Sequence, residues 1–168
     1  PNHYFAYDKA YGNRNLYKEF IDECHNKGIA VIIDMVFNHA TGICPMAKLY
    51  WEGNATADNN PWFNRVAKHP FNVFHDINHE YEGTRKYFKR VLQYWVEEYK
   101  VDGFRMDVIN YISKEEGLPK GNEVIGQMMG FYGIEHYYLC SSCLFGGDTR
   151  VGGATPLCKG KAHIVWCR

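Results

Sequence analysis

IAVIIDMVFNH, residues 29–39, is the stretch that decides the fold of this chain. It opens with a continuous apolar run rich in β-branched residues, which is typical of a strand covered on both faces in a parallel sheet. A second run ends in GFRMD, residues 103–107. Each run closes with acidic and polar residues at the point where the buried strand should end. Active sites of parallel α/β folds are built at that end of the strands, so both stretches predict a site.

An amphipathic helix precedes each of the two predicted strands. The first is predicted over residues 15–27, where Asn13 or Asn15 can cap the helix and Gly28 can end it. Its predicted buried stripe consists of Leu16, Phe20, Ile21 and Cys24. The second is predicted over residues 84–99, with a buried stripe of Phe88, Leu92, Trp95, Val96 and Tyr99. The order of elements predicts a right-handed βα repeat with one large insertion.

Two segments lack a helical or strand period. Residues 40–80 are interrupted by glycines and prolines, and so long an irregular segment is usually functional. Glycines also interrupt residues 140–168, so the sequence predicts no regular structure there. We therefore divide the chain into four segments. A segment ending in the first strand covers 1–39, and an inserted loop domain covers 40–80. A segment with the second strand and its following loop covers 81–138, and a tail of unclear origin covers 139–168.

The composition is that of a globular protein, with 46% hydrophobic and 23% charged residues in 168. Basic and acidic residues number 19 each, so net charge gives no reason to expect nucleic acid or an anionic membrane as a partner. No run reaches the ~20 apolar residues of a transmembrane helix. The chain starts at Pro1 without a signal peptide, so we expect it to be cut from a longer protein. The sequence leaves open whether that protein is secreted or cytoplasmic.

The polar residues at the two strand ends form a candidate catalytic group. Arg105 and Asp107 are two residues apart on a strand, so their side chains share a face. An arginine favours the ionised form of a neighbouring carboxylate, and an ionised, oriented carboxylate is what a retaining glycosidase uses as nucleophile. Asp34 on the neighbouring strand can pair with Arg105, and His39 can donate to a sugar hydroxyl. A purely structural Asp–Arg–Asp network is equally compatible with these residues.

Three short motifs occur in order along the chain: DMVFNH at 34–39, FHDIN at 74–78 and GFRMD at 103–107. They resemble signature regions of the α-amylase family, glycoside hydrolase family 13. The resemblance extends beyond the motifs. Residues 1–104 are similar to bacterial amylase and pullulanase-like sequences, and residues 103–138 are similar to the oligo-1,6-glucosidase branch. Because the two halves resemble different branches, the preference for α-1,4 or α-1,6 bonds stays open.

The resemblance implies a fold and a set of functional residues. The fold is a partial (β/α)₈ TIM barrel, in which the strands ending at Asp34 and Asp107 would be the third and fourth. Residues 40–80 would be the domain inserted after the third strand. Asp107 would be the nucleophile of a retaining hydrolase of α-glucans or α-glucosides, such as starch and its oligosaccharides, with Arg105 as its partner. His39 and Asp34 would bind the substrate at the point of cleavage.

Calcium and the general acid are the two less complete parts of this resemblance. Asn38 and Asp76 match positions that bind calcium in many members, and amide and carboxylate oxygens suit this ion. Other members lack the ion. A second carboxyl group, the general acid, is not identified, because Glu123 and Glu135 fall in a stretch that resembles the loop after the fourth strand. We therefore expect a fragment that holds the nucleophile side of the site and has weak or no activity alone.

Two other functions stay open from the sequence. The chain can be a non-catalytic carbohydrate-binding or structural piece, in which the aromatic-rich insertion makes any contact with sugar. Alternatively, the tail can bind zinc through thiolates, although only the first pair has ligand spacing. The four cysteines concerned are Cys140, Cys143, Cys158 and Cys167. Cys24, on the first predicted helix, is expected to be an ordinary core residue.

Overall fold

The computed structural model describes residues 1–67 and 74–107 in full, and the backbone alone of residues 163–167. Several sequence predictions lie outside the described residues, namely those for Glu123, Glu135, Cys140, Cys143 and Cys158. Within the described ranges, no helix is long and apolar enough to cross a lipid bilayer. The same ranges contain no cluster of three or more metal-ligating His, Cys, Asp or Glu side chains.

Helix α1, Arg14–Asn26, forms where the sequence predicts it. The Asn13 side chain caps it by accepting the N–H groups of Asn15 and Leu16 at 3.0 Å. The predicted buried stripe is only half right. Ile21 and Cys24 are buried, but Tyr17 joins them while Leu16 and Phe20 are 54% and 41% exposed. Because each residue turns the helix by about 100°, positions 16 and 20 lie to one side of the buried row formed by 17, 21 and 24.

The two predicted strands are parallel neighbours. Strand β1 spans Ile29–Val36 and strand β6 spans Gly103–Asp107, with Asp34 opposite Arg105 and Val36 opposite Asp107. Helix α3, Glu82–Tyr99, leads into β6 through Lys100, which adopts a left-handed conformation at φ 59°. Its buried face is the predicted one, extended by Val91, while Val96 is only partly buried. The predicted βα order is confirmed for this pair of strands.

The tail contributes a strand that the sequence did not predict. Strand β7, His163–Cys167, pairs in parallel with the other edge of β1, so the sheet order is β6–β1–β7. The prediction of no regular structure over residues 140–168 is therefore wrong at its end. The HIVWC run is apolar but only five residues long, and it follows a glycine-rich stretch in which no strand is expected. The edge of β1 supplies the hydrogen-bonding partner that no local sequence pattern reveals.

The inserted segment returns to the point where it leaves the sheet. Strand β2, His39–Ala40, pairs antiparallel with β5, His75–Asp76. Between them lie a short helix α2, Pro45–Lys48, and a small hairpin of β3, Trp51–Glu52, and β4, Ala55–Thr56. The segment is thus less irregular than predicted. Its elements are only two to four residues long, too short for a periodic pattern in the sequence to indicate them.

Aromatic side chains fill much of the core between the sheet, the chain start and α3. Phe88 stacks on Phe37 with ring centroids 4.2 Å apart, and meets Tyr4 edge to face at 4.8 Å. The Trp95 indole N–H donates to the Tyr4 carbonyl oxygen at 2.9 Å. All four residues are at most 3% exposed. These rings serve packing, which accounts for part of the 16% aromatic content of the chain without any ligand.

Asp102 ties the end of α1 to the start of both strands. Its Oδ2 atom accepts the Val31 backbone N–H at 2.8 Å and lies 2.8 Å from His25 Nε2. The Asp102 backbone N–H in turn donates to the Val31 carbonyl at 2.9 Å. The side chain is 13% exposed. One carboxylate therefore satisfies a buried N–H and a helix-end histidine together.

We predict that Asp102→Ala lowers the free energy of unfolding by about 1–3 kcal/mol, because it leaves the buried Val31 N–H without its acceptor. Asp102→Asn should cost less, since an amide oxygen in the position of Oδ2 can still accept that N–H and contact His25. Urea unfolding followed by circular dichroism measures both changes. An Asn variant that is as unstable as the Ala variant would contradict this assignment.

Candidate active site

Three charged side chains meet at the carboxyl ends of β1 and β6. Arg105 Nη1 lies 2.6 Å from Asp34 Oδ2, and Arg105 Nη2 lies 3.2 Å from Asp107 Oδ1. The parallel register places Asp34 directly opposite Arg105, so the guanidinium reaches one carboxylate across the strands and one along its own strand. The predicted meeting of the three residues is confirmed.

The three side chains differ in exposure. Asp34 and Arg105 are 8% and 10% exposed, whereas Asp107 is 24% exposed. A buried charge is costly unless it is paired, and here one guanidinium faces two carboxylates. The arginine therefore fixes both acids in place, with the more exposed one, Asp107, toward the end of the strand. An oriented carboxylate at this edge is suited to act on a bound molecule.

His39 stands three residues beyond the end of β1 and is held by its surroundings. Its Nδ1 atom lies 3.1 Å from Asn38 Oδ1, a contact that an Nδ1–H tautomer makes by donating to the amide oxygen. The Tyr4 hydroxyl donates to the His39 carbonyl at 3.3 Å. Asn38 is fully buried, and its carbonyl accepts the Ile77 N–H at 2.9 Å. The returning segment thus fixes the histidine at the strand end.

The FHDIN motif includes Phe74, a residue with no role predicted from the sequence. The Phe74 ring lies against His39 with centroids 5.5 Å apart, and the residue is 63% exposed. Its backbone has φ 51°, a left-handed conformation that costs a residue with a side chain about 1–2 kcal/mol. The aromatic identity of residue 74 was visible in the sequence, but its backbone conformation and its contact with His39 were not.

Asn38 and Asp76, the predicted calcium ligands, come close together through the pairing of β2 with β5. Asp76 is 2% exposed and its Oδ2 accepts from Asn64 Nδ2 at 2.6 Å. Asn38 Oδ1 contacts the His39 ring as described above. Calcium takes six to eight oxygen ligands, and the described residues bring two such side chains, each engaged with a nitrogen donor. Calcium at these two residues stays a prediction.

The alpha amylase catalytic domain family matches residues 2–73 and 45–130, which together cover well over half of the sequence. The chain belongs to the α-amylase family. This family is glycoside hydrolase family 13, the one that the three sequence motifs resemble.

Two curated members of the family illustrate the likeness. A cyclomaltodextrinase from a Bacillus species is 28% identical over 67% of this chain, and a malto-oligosyltrehalose trehalohydrolase from Saccharolobus solfataricus is 31% identical over 64%. The matched region spans only 23% and 18% of those two proteins. The chain thus corresponds to about a fifth of the length of the curated relatives it matches.

Solved structures of the family share the fold. A maltogenic alpha-amylase from Thermotoga neapolitana superposes with a TM-score of 0.61 at 24% identity, covering 82% of this chain and 31% of that one. An alpha-amylase from Geobacillus thermoleovorans gives 0.62 at 17% identity, covering 82% of this chain and 31% of that one. At such identities the likeness concerns the fold alone, and it supports the α/β architecture predicted from the sequence.

We predict that Arg105→Met lowers the free energy of unfolding by about 3–5 kcal/mol, because it leaves Asp34 and Asp107 without their shared cation. Arg90 is exposed on α3, so Arg90→Met is the matched control and should change stability by less than about 0.5 kcal/mol. Urea unfolding of both variants measures the difference. Equal effects of the two substitutions would show that the pairing around Arg105 does not matter for folding.

Calcium binding by Asn38 and Asp76 stays a prediction, and the effect of calcium on the melting temperature tests it. We expect EGTA and millimolar calcium to leave the melting temperature of the chain unchanged, since the two side chains found among the described residues, Asn38 and Asp76, supply only part of the six to eight oxygens that calcium takes. Differential scanning fluorimetry in both conditions checks this. A calcium-dependent rise in the melting temperature that Asp76→Asn removes would place the ion at these residues after all.

Proposed function

We propose that this chain carries the nucleophile side of the active site of a retaining hydrolase of α-glucans, the class of substrate that the family resemblance implies. The observation that carries the proposal is the Arg105 bridge between Asp34 and Asp107 at the ends of two neighbouring parallel strands. The names of its relatives, such as cyclomaltodextrinase and maltogenic alpha-amylase, support a maltose-type substrate.

The architecture we propose is part of a (β/α)₈ barrel. Strands β1 and β6, with α3 between them in the chain, correspond to its third and fourth strands. Residues 40–80 correspond to a domain inserted after the third strand, and its return beside His39 supports this division. The sheet ends then form the floor of the substrate site, as in other barrels of this kind.

Asp107 is the nucleophile in this proposal. Its carboxylate attacks the anomeric carbon of the sugar, the glycosidic C–O bond breaks, and a covalent glycosyl ester forms on Asp107. The leaving oxygen needs a proton from a general acid, and a water molecule then cleaves the ester with retention of configuration. Arg105 holds one carboxylate oxygen of Asp107 and Asp34 holds Arg105, so the attacking group stays oriented.

His39 is proposed to bind the sugar hydroxyls next to the scissile bond. Asn38 contacts its ring and the Tyr4 hydroxyl holds its backbone carbonyl, so His39 needs little reordering when a sugar arrives. The general acid is not assigned to any residue of the chain. Because bond cleavage in an ordinary glucan requires that proton donor, the nucleophile side alone should act only on substrates with a leaving group that departs unprotonated.

The test uses α-maltosyl fluoride, since fluoride leaves without a general acid. We predict that the 168-residue chain releases fluoride measurably while it hydrolyses maltotriose weakly or not at all. Asp107→Gly should abolish fluoride release, and added azide should restore it and give a β-maltosyl azide, because azide enters from the face that the carboxylate occupied. Asp22→Asn, an exposed change on α1, is the matched control and should behave like the unsubstituted chain.

Fluoride release that survives Asp107→Gly without azide would contradict the proposed nucleophile. The non-catalytic carbohydrate-binding alternative predicts sugar binding with no fluoride release by any variant. Robust maltotriose turnover that Asp107→Gly abolishes would show instead that the chain contains a general acid, and Glu123 and Glu135 would then be the first residues to substitute.

A further inference from the structure

Phe74 is a large apolar side chain that the fold leaves exposed. It is 63% exposed and adopts φ 51°, a region that bulky residues rarely occupy. Burial therefore does not explain a phenylalanine here, and neither does backbone preference. Strained residues that persist in a fold cluster at ligand-binding and catalytic positions.

The environment of Phe74 connects it with the proposed substrate site. In the β2–β5 ladder His39 lies opposite Asp76, and Phe74 directly precedes β5. The two rings are 5.5 Å apart and tilted by 31°. With its backbone in this left-handed conformation, Phe74 places its ring beside the imidazole of His39.

We propose that Phe74 is a sugar-stacking residue that positions an α-glucan chain next to His39. The inference rests on the proposed function and adds a substrate-positioning residue to it. The C–H face of a glucose ring is apolar and packs on an aromatic face, while its hydroxyls point outward from the ring edge. Phe74 offers the aromatic face and His39 offers a polar ring nitrogen. Together they suit a linear glucan with one unit at each residue.

A second exposed phenylalanine provides a comparison. Phe20 is 41% exposed on helix α1, where its backbone is regular and its ring packs beside Tyr17. It lies on a helix and carries none of the strain seen at residue 74. Phe20→Ala therefore removes an exposed ring of the same kind without touching the proposed sugar path.

Calorimetric titration of the full 168-residue chain with maltoheptaose tests the proposal. Phe74→Ala should raise the Kd about three- to tenfold, the effect of losing one aromatic contact, whereas Phe74→Tyr and Phe20→Ala should stay within about twofold of the unsubstituted chain. Phe74→Gly should weaken binding in the same way while raising the melting temperature, because glycine relieves the left-handed backbone. A purely structural role for the ring would instead lower the melting temperature.

The outcomes separate this inference from the proposed chemistry. An unchanged Kd in Phe74→Ala overturns the inference, and the nucleophile is still judged by fluoride release at Asp107. Equal weakening by Phe20→Ala, or no binding of maltoheptaose by the unsubstituted chain, overturns it as well. Weakened binding in Phe74→Ala together with an absence of fluoride release supports the sugar-stacking residue and removes the proposed hydrolysis.

Discussion

The pairing of Arg105 with two carboxylates is the constraint on which the sheet edge depends. A guanidinium that is only 10% exposed must face its counter-charges, so β6 has to align with β1 in the register that sets Arg105 opposite Asp34. A slip of one residue would turn Arg105 to the other face of the sheet. The same register places Asp107 at the strand end, beside the point where β1 leaves the sheet. Local charge pairing thus determines where the candidate nucleophile stands.

The returning insertion adds the second half of the arrangement. Ile77 donates a hydrogen bond to the Asn38 carbonyl, and Asp76 pairs with His39 in the β2–β5 ladder. Asn64 donates to Asp76 from its backbone N–H and from its side-chain amide. These bonds keep His39 at the sheet edge and bring Phe74 beside it. Phe37, which directly follows β1, packs on Phe88 in the aromatic core, and this contact supports the end of the strand. Sites supported on packed strands hold their geometry better than sites on unsupported loops.

The sequence was sufficient for the features that local chemistry dictates. Continuous β-branched runs indicated the two buried strands, and the acids that close them indicated the site. It failed where distant parts of the chain decide. The strand that pairs with the second edge of β1 comes from the end of the tail. The elements packed against α1 decide that Tyr17, and not Leu16, faces the hydrophobic core. The backbone conformation of Phe74 is fixed by the path of the insertion, so no local pattern could reveal its role.

Stability alone does not account for the charged group at the strand ends. Replacing a buried ion pair by apolar side chains of similar volume is often neutral, or stabilising by about 1–4 kcal/mol, so folding gives little reason to keep one. Here exposure rises from 8% at Asp34 and 10% at Arg105 to 24% at Asp107. The network is buried at its base and open at one carboxylate, which favours a group that acts on something outside the fold.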